Sequence, residues 1–217
     1  MAQRQLENFD TVLLKDIGTL TIELGPSPCL TVETSAELIG KVQSTVQDNK
    51  LVLELGMNWL QKVGASLTEG LLTKPLKYTL TVPRLKKLEV FGLGQIETGA
   101  LEADAFFIVV NGTGNITLAK LSCNTLDVKL NGTGSASILG GRAELATVMS
   151  NGSGEFLAEQ FETCAAKVTL NGLGKAKVHV TNKLDVEMNG AGELSYRGKP
   201  ALSQDVQGMG RITCLEE

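Results

Sequence analysis

Apolar and polar residues alternate along most of this chain. In TLDVKL, Thr125–Leu130, the residues Leu126, Val128 and Leu130 fall on one face and Asp127 and Lys129 on the other, the two-residue period of a half-buried strand. The alternation is interrupted by Gly-x-Gly turns: FGLG from Phe91, NGTG from Asn111 and Asn131, NGSG from Asn151, NGLG from Asn171, NGAG from Asn189 and QGMG from Gln207. The first five starts are 20 residues apart and the last two steps are 18. A fixed period of this size marks a repeat architecture.

Equivalent positions in successive repeats hold like residues. Three residues before each turn stand Leu88, Ile108, Val128, Val148, Val168, Val186 and then Gln204; directly before it stand Val90, Val110, Leu130, Ser150, Leu170, Met188 and Val206. After the turn Ile96, Ile116, Ala136, Phe156, Ala176, Leu194 and Ile212 form a third column. Such columns predict coils laid on one another at the ~4.8 Å strand spacing, with aliphatic ladders inside a tube. The fold class expected is all-β, a parallel β-helix with coils of about 20 residues, right-handed by the general crossover preference. Six or so inward side chains contribute roughly 10–15 kcal/mol of gross burial per coil, comparable to the cost of ordering the coil. One coil cannot stand alone, and stability comes from its neighbours.

The turn residues Asn111, Gly112, Gly114, Asn131, Gly132, Gly134, Asn151, Gly152, Gly154, Asn171, Gly172, Gly174, Asn189, Gly190 and Gly192 are expected to form a structural ladder. The glycines supply positive φ or close backbone approach. The asparagine amides bond one another up the stack, inside the tube or on its rim.

The N-terminal third lacks Gly-x-Gly but still alternates. TLTIEL (Thr19–Leu24), CLTVET (Cys29–Thr34) and KLVLEL (Lys50–Leu55) read as strands, with turn signals at Gly25 and Asp48. Residues 8–82 are expected to be the N-terminal strands and cap of the solenoid, with an irregular insert at 56–74 that contains Trp59; residues 83–217 are the repeat, and the two form one continuous domain. The insert reads as a short helix or loop packed on the core, or as a partner-binding segment.

Composition narrows the function. The net charge of −4 shows no basic stripe, so nucleic acid is not an expected partner. Cys29, Cys123, Cys164 and Cys214 form no CxxC pair and His179 is the only histidine, so neither a metal site nor another cofactor is expected. Cys123 and Cys164 sit at different coil offsets about two coils apart, beyond disulfide reach. No stretch approaches the length of a membrane span. MAQRQLENFD has no apolar signal core, so either the protein is cytoplasmic or a secretion signal precedes this sequence.

FDTVLLKDIGTLTIEL, KLVLEL, LKYTLTVPRLKKLEVFGLG, the repeated N-G-x-G turns and GELSYRGKP together resemble the putative auto-transporter adhesin, head GIN domain family, over about residues 8–213. The resemblance implies a right-handed parallel β-helix in bacteria, exported to the cell envelope, with an adhesin-like role. It supplies no catalytic residues.

β-helices also carry polysaccharide lyases and hydrolases, which cluster carboxylates on one face. Here the position after each turn holds Gln95, Asn115, Ser135, Glu155, Lys175, Glu193 and Arg211, mixed in sign. The nearest carboxylate row, Asp127, Asp185 and Asp205, is interrupted by Thr147 and Lys167 and reads as a solvated face. The turns lack the aspartate of calcium-binding nonapeptide rolls and the Gly-Lys-Ser/Thr of a phosphate loop. His179 is expected on the outside of a strand or as a neutral hydrogen-bond partner. Asn111, Asn115, Asn131 and Asn151 head N-x-Ser/Thr triplets, the pattern of glycosylation acceptors, a match read as coincidental in a repeat whose asparagines serve the turn. The expected function is a non-catalytic β-helix that binds a glycan or protein ligand, or itself, at the cell envelope. The alternatives are a carbohydrate-active enzyme and a cytoplasmic scaffold that polymerises end to end; absence of a signal and free thiols favour the scaffold.

Overall fold

The computed structural model describes residues 1–56 and 75–215, and beyond Gly56 the insert expected at 56–74 lies outside the described residues. The chain is an all-β solenoid of about six turns. The coil from Asn115 shows how the sequence makes it. Ile116, Leu118, Leu121, Cys123, Leu126, Val128 and Leu130 are all buried. Their spacing is two along each wall and three at Ala119–Lys120 and Asn124–Thr125, where the exposed pair turns a corner. Two exposed corners and one Gly-x-Gly corner give three short walls around an aliphatic interior.

Neighbouring coils stack in parallel register. Leu88 lies beside Ile108, which lies beside Val128, and the row runs on through Val148, Val168 and Val186. None of these six is more than 2% exposed. The row ends at Gln204 in the exposed final coil. Size alternates where bulk would collide: Phe156 stands between Ala136 and Ala176, and Phe161 lies beside Gly141. This is how a close-packed interior accommodates two phenylalanines. The step from a 20- to an 18-residue coil is absorbed beyond Ala158. There Glu159–Phe161 have no counterpart, and part of the length is returned by Thr181–Asn182 opposite Cys164.

At the N-terminal end the order in space departs from the order in sequence. The strand Thr11–Asp16 lies between Lys50–Leu55 and Lys87–Gly92, and Thr19–Leu24 lies between Lys77–Val82 and the start of Gln95–Gly112. The first coil is therefore flanked on both sides by strands made later. It has a turn of the repeat type, Asp16-Ile17-Gly18, with Asp16 paired to Gly92 and holding φ 74°. Aspartate tolerates this left-handed region better than most residues, which is why a search for Gly-x-Gly passes over it. The end is covered by antiparallel strands: Val42–Gln47 on Lys50–Leu55, and Cys29–Glu33 on Lys77–Val82 with Ala2–Gln5 outside it. Asp48 and Asn49, both at positive φ, make the tight hairpin between Val42–Gln47 and Lys50–Leu55. Lys50 and Lys87 both pair with Glu89. Burial pushes the Glu89 carboxyl up, but the two lysines outweigh it and hold it below its ordinary value.

The turn glycines admit no side chain. Gly132 has φ 142°, and a Cβ there would lie 2.3 Å from the Gly112 carbonyl oxygen. That oxygen already accepts a hydrogen bond from the Thr133 N–H at 2.9 Å. Gly132→Val is expected to cost at least about 1–3 kcal/mol from backbone strain alone. Gly99→Val, where no atom lies within 4 Å of the added Cβ, should stay within about 0.5 kcal/mol. Equal melting temperatures for the two variants would refute this account of the turn. Phe156→Ala should cost about 3–5 kcal/mol by opening a cavity between two alanines, read from the denaturant midpoint.

Candidate binding surface

What the tube offers a partner is its outside, and the coil register decides which residues meet there. At the Gly-x-Gly corner the asparagines form a ladder on the rim. Asn131 donates through Nδ2 to Asn111 Oδ1, Asn151 to Asn131, Asn171 to Asn151 and Asn189 to Asn171, each at 2.9 Å. The amides face solvent, so the ladder lies outside the core. The middle residue of each turn points outward, and Leu93, Leu173 and Met209 are 62% exposed or more. Gly134, by contrast, is buried, and a Cβ on it would lie 2.2 Å from the Gly114 carbonyl oxygen.

The row after each turn runs Gln95, Asn115, Ser135, Glu155, Lys175, Glu193, Arg211. Asn115 Oδ1 accepts from both the N–H and the hydroxyl of Ser135. Of the carboxylates expected in one row, Asp127 and Asp185 share it with Thr147 and Lys167, but Asp205 does not: it sits beside Glu187 in the row two residues on. Alternation along the strand had put these aspartates on one face without distinguishing its rows. Lys167 pairs with Glu187 at 2.8 Å, and their shared hydrogen bond pushes the lysine up and the carboxyl down from their ordinary values. His179 lies between Glu162 and Arg197 on neighbouring strands, and its carbonyl oxygen accepts from Thr163 Oγ1.

All four cysteines are free thiols. Cys123 points inward between Ala103 and Ala143, and burial pushes its thiol up to about 11. Cys164 follows inward-facing Thr163, and a hydrogen bond with Glu144 pushes its thiol up as well. Among the described residues no three His, Cys, Asp or Glu side chains converge as a metal site, and no described helix is long and apolar enough to cross a membrane.

The short wall between the two exposed corners carries a feature that alternation alone does not reveal. Its outward row is Glu102, Ser122, Arg142 and Glu162, stacked strand to strand. Each lies nine residues before a turn asparagine, Asn111, Asn131, Asn151 or Asn171. That fixed offset is the signal the sequence carries for the row, in the middle of each repeat and away from the turns. Around the row lie three adjoining hollows of about 510, 580 and 490 Å³, each lined in part by Glu102. Together they make a trough across successive coils.

The model of the family described as putative auto-transporter adhesin, head GIN domain, matches residues 8–200. The chain belongs to that family. Similar folds occur among solved structures. A putative adhesin from Bacteroides fragilis NCTC 9343 is 23% identical with a TM-score of 0.86, over 99% of this chain and 95% of that one. A putative adhesin from Parabacteroides merdae ATCC 43184 is 18% identical with a TM-score of 0.74, over 99% and 95%. A putative lipid binding protein from Parabacteroides distasonis ATCC 8503 is 19% identical with a TM-score of 0.70, over 99% and 96%. No curated protein shows significant similarity to the chain. At these identities the solved structures establish the shared fold, whereas membership of the head GIN domain family rests on the sequence match.

The asparagine ladder of this head GIN domain makes a separable prediction. Asn151 donates one and accepts one inter-coil hydrogen bond. Asn151→Ala should cost about 1–2 kcal/mol, the net worth of two such bonds. Asn151→Asp can still accept from Asn171 but cannot donate to Asn131, and should also melt below the parent. Unchanged unfolding midpoints for both variants would show that the ladder contributes nothing to stability.

Proposed function

We propose that this head GIN domain protein is a non-catalytic, adhesin-like binding protein of the bacterial cell envelope, its ligand a glycan or a protein held along the outside of the tube. Family membership supports the adhesin-like role and a location at or outside the envelope. The observation that carries the reading is the stacking of outward residues into rows, so that polar side chains recur at the ~4.8 Å coil spacing along a long face. Repeated weak contacts along such a face add up to avidity without a deep pocket.

The scaffold reading gains from the four free thiols, which suit a reducing compartment. The antiparallel strands over the N-terminal end oppose it, because they occupy the edges on which another copy's coil would continue the stack.

Beads coated with the purified chain should adhere saturably to immobilised mucin or extracellular-matrix protein, and soluble chain should compete the adhesion away. Adhesion no greater than that of albumin-coated beads, across glycan and protein surfaces alike, would overturn the adhesin-like reading. Turnover of a polysaccharide by the chain would replace it with the enzyme reading.

A further inference from the structure

We propose that the trough on the short wall is a glycan-binding site that selects an acidic sugar, with Arg142 as the residue that holds its carboxylate. This rests on the adhesin-like reading and names a ligand class for it. The central hollow is lined by Glu102, Ser122, Asn124, Arg142 and Glu144, with Ala103, Cys123 and Ala143 on the floor. Its neighbour shares Glu102, Ser122 and Arg142 and adds Lys120 and Glu162. The third hollow adjoins at Glu102 and Ala103 and reaches the ring of Phe107, which is 41% exposed.

Three observations converge on the ligand. The two hollows around Arg142 are dense in carboxylate, hydroxyl and amide groups, which match a ligand made of hydroxyls. Arg142 stands in the middle of that lining with Ser122 on one neighbouring strand and Glu162 on the other, yet no carboxylate among the described residues lies within ion-pair distance of it. A guanidinium offers a planar fork of donors that fits a carboxylate bidentately, so the unused fork asks for one carboxylate from the ligand. Phe107, at one end, presents an aromatic surface on which the apolar face of a sugar ring can lie. A trough crossing several coils suits an extended chain better than a compact molecule.

The same residues limit the ligand's charge. Glu102, Asp104, Glu144 and Glu162 line the trough among Arg84, Lys86, Lys120 and Arg142, so its charges are mixed, and a polymer with an anion on every unit would meet carboxylates as well as cations. The fit is to a glycan in which acidic sugars alternate with neutral ones. Nucleic acid, with a phosphate at every step, fits such a mixed lining poorly.

The test uses the full chain and oligosaccharides of hyaluronan, in which a uronate alternates with a neutral amide sugar, beside the same oligosaccharides after reduction of each carboxyl to a primary alcohol. Titration calorimetry should show the native decamer binding at least tenfold more tightly than the reduced one. Arg142→Ala should abolish that preference, and Arg142→Lys should restore part of it. Circular dichroism melts of both variants should match the parent, since Arg142 is exposed and has no ion pair among the described residues. Phe107→Ala should weaken native and reduced decamers equally. No binding of the native decamer, equal binding of the two decamers, or a preference that survives Arg142→Ala would each overturn the proposal. Beads that still adhere to mucin or matrix protein in that event would leave the adhesin-like reading standing and place its ligand elsewhere.

Discussion

One carbonyl oxygen per coil governs this structure. At the Gly-x-Gly corner the oxygen of Gly112 accepts the N–H of Thr133, that of Gly132 the N–H of Ser153 and that of Gly152 the N–H of Leu173, each at 2.9 Å. The hydrogen-bonded ladder thus runs through the corner without a break. It can do so only if nothing stands between the backbones, and at Gly132, Gly152 and Gly172 an added Cβ would come within 2.5 Å of that oxygen. Everything else follows from coils held this closely: the side-chain rows, the rim of amides, and a trough whose walls come from consecutive coils.

Close stacking also explains why the interior tolerates so little. A tube of fixed cross-section must keep nearly constant volume at every level. Phe156 is admitted because Ala136 and Ala176 lie above and below it, and Phe161 because Gly141 does. Ser150 is the polar exception in its row; it is 1% exposed and its hydroxyl bonds the Gly154 carbonyl, which satisfies a group that would otherwise be costly to bury. Where the coil shortens, the change is taken at Glu159–Phe161 and at Thr181–Asn182, and the interior rows beyond them keep their register.

Much of this was legible in the residues. The turn period and the two-residue alternation specify parallel coils, and the rows containing Val128 and Ile116 lie in register as the spacing implies. KLVLEL and TLTIEL form strands with the expected limits, Lys50–Leu55 and Thr19–Leu24. The first coil was harder to see because Asp16 does the work of a glycine, and composition does not mark a residue for positive φ. The interleaving of N-terminal strands was out of reach for a different reason: period two states which face a residue takes, not which strand it will lie beside. The trough fell between these cases. Its row recurs at a fixed offset, but the types at that offset, Glu102, Ser122, Arg142 and Glu162, differ in charge and size. Chemistry that changes from coil to coil is invisible to a search for likeness.

The interleaved N-terminal end has a consequence for how the molecule comes into being. Along the regular coils each winding needs only the one before it, so structure can grow residue by residue toward the C-terminus. The strand Thr11–Asp16 cannot settle in that fashion, because its two neighbours, Lys50–Leu55 and Lys87–Gly92, are synthesised after it. This early segment therefore has no parallel neighbour until Lys50–Leu55 has been made, and gains its second only with Lys87–Gly92. The opening part of the chain assembles as a knot of mutual dependence, and the uniform column is then free to rise from it.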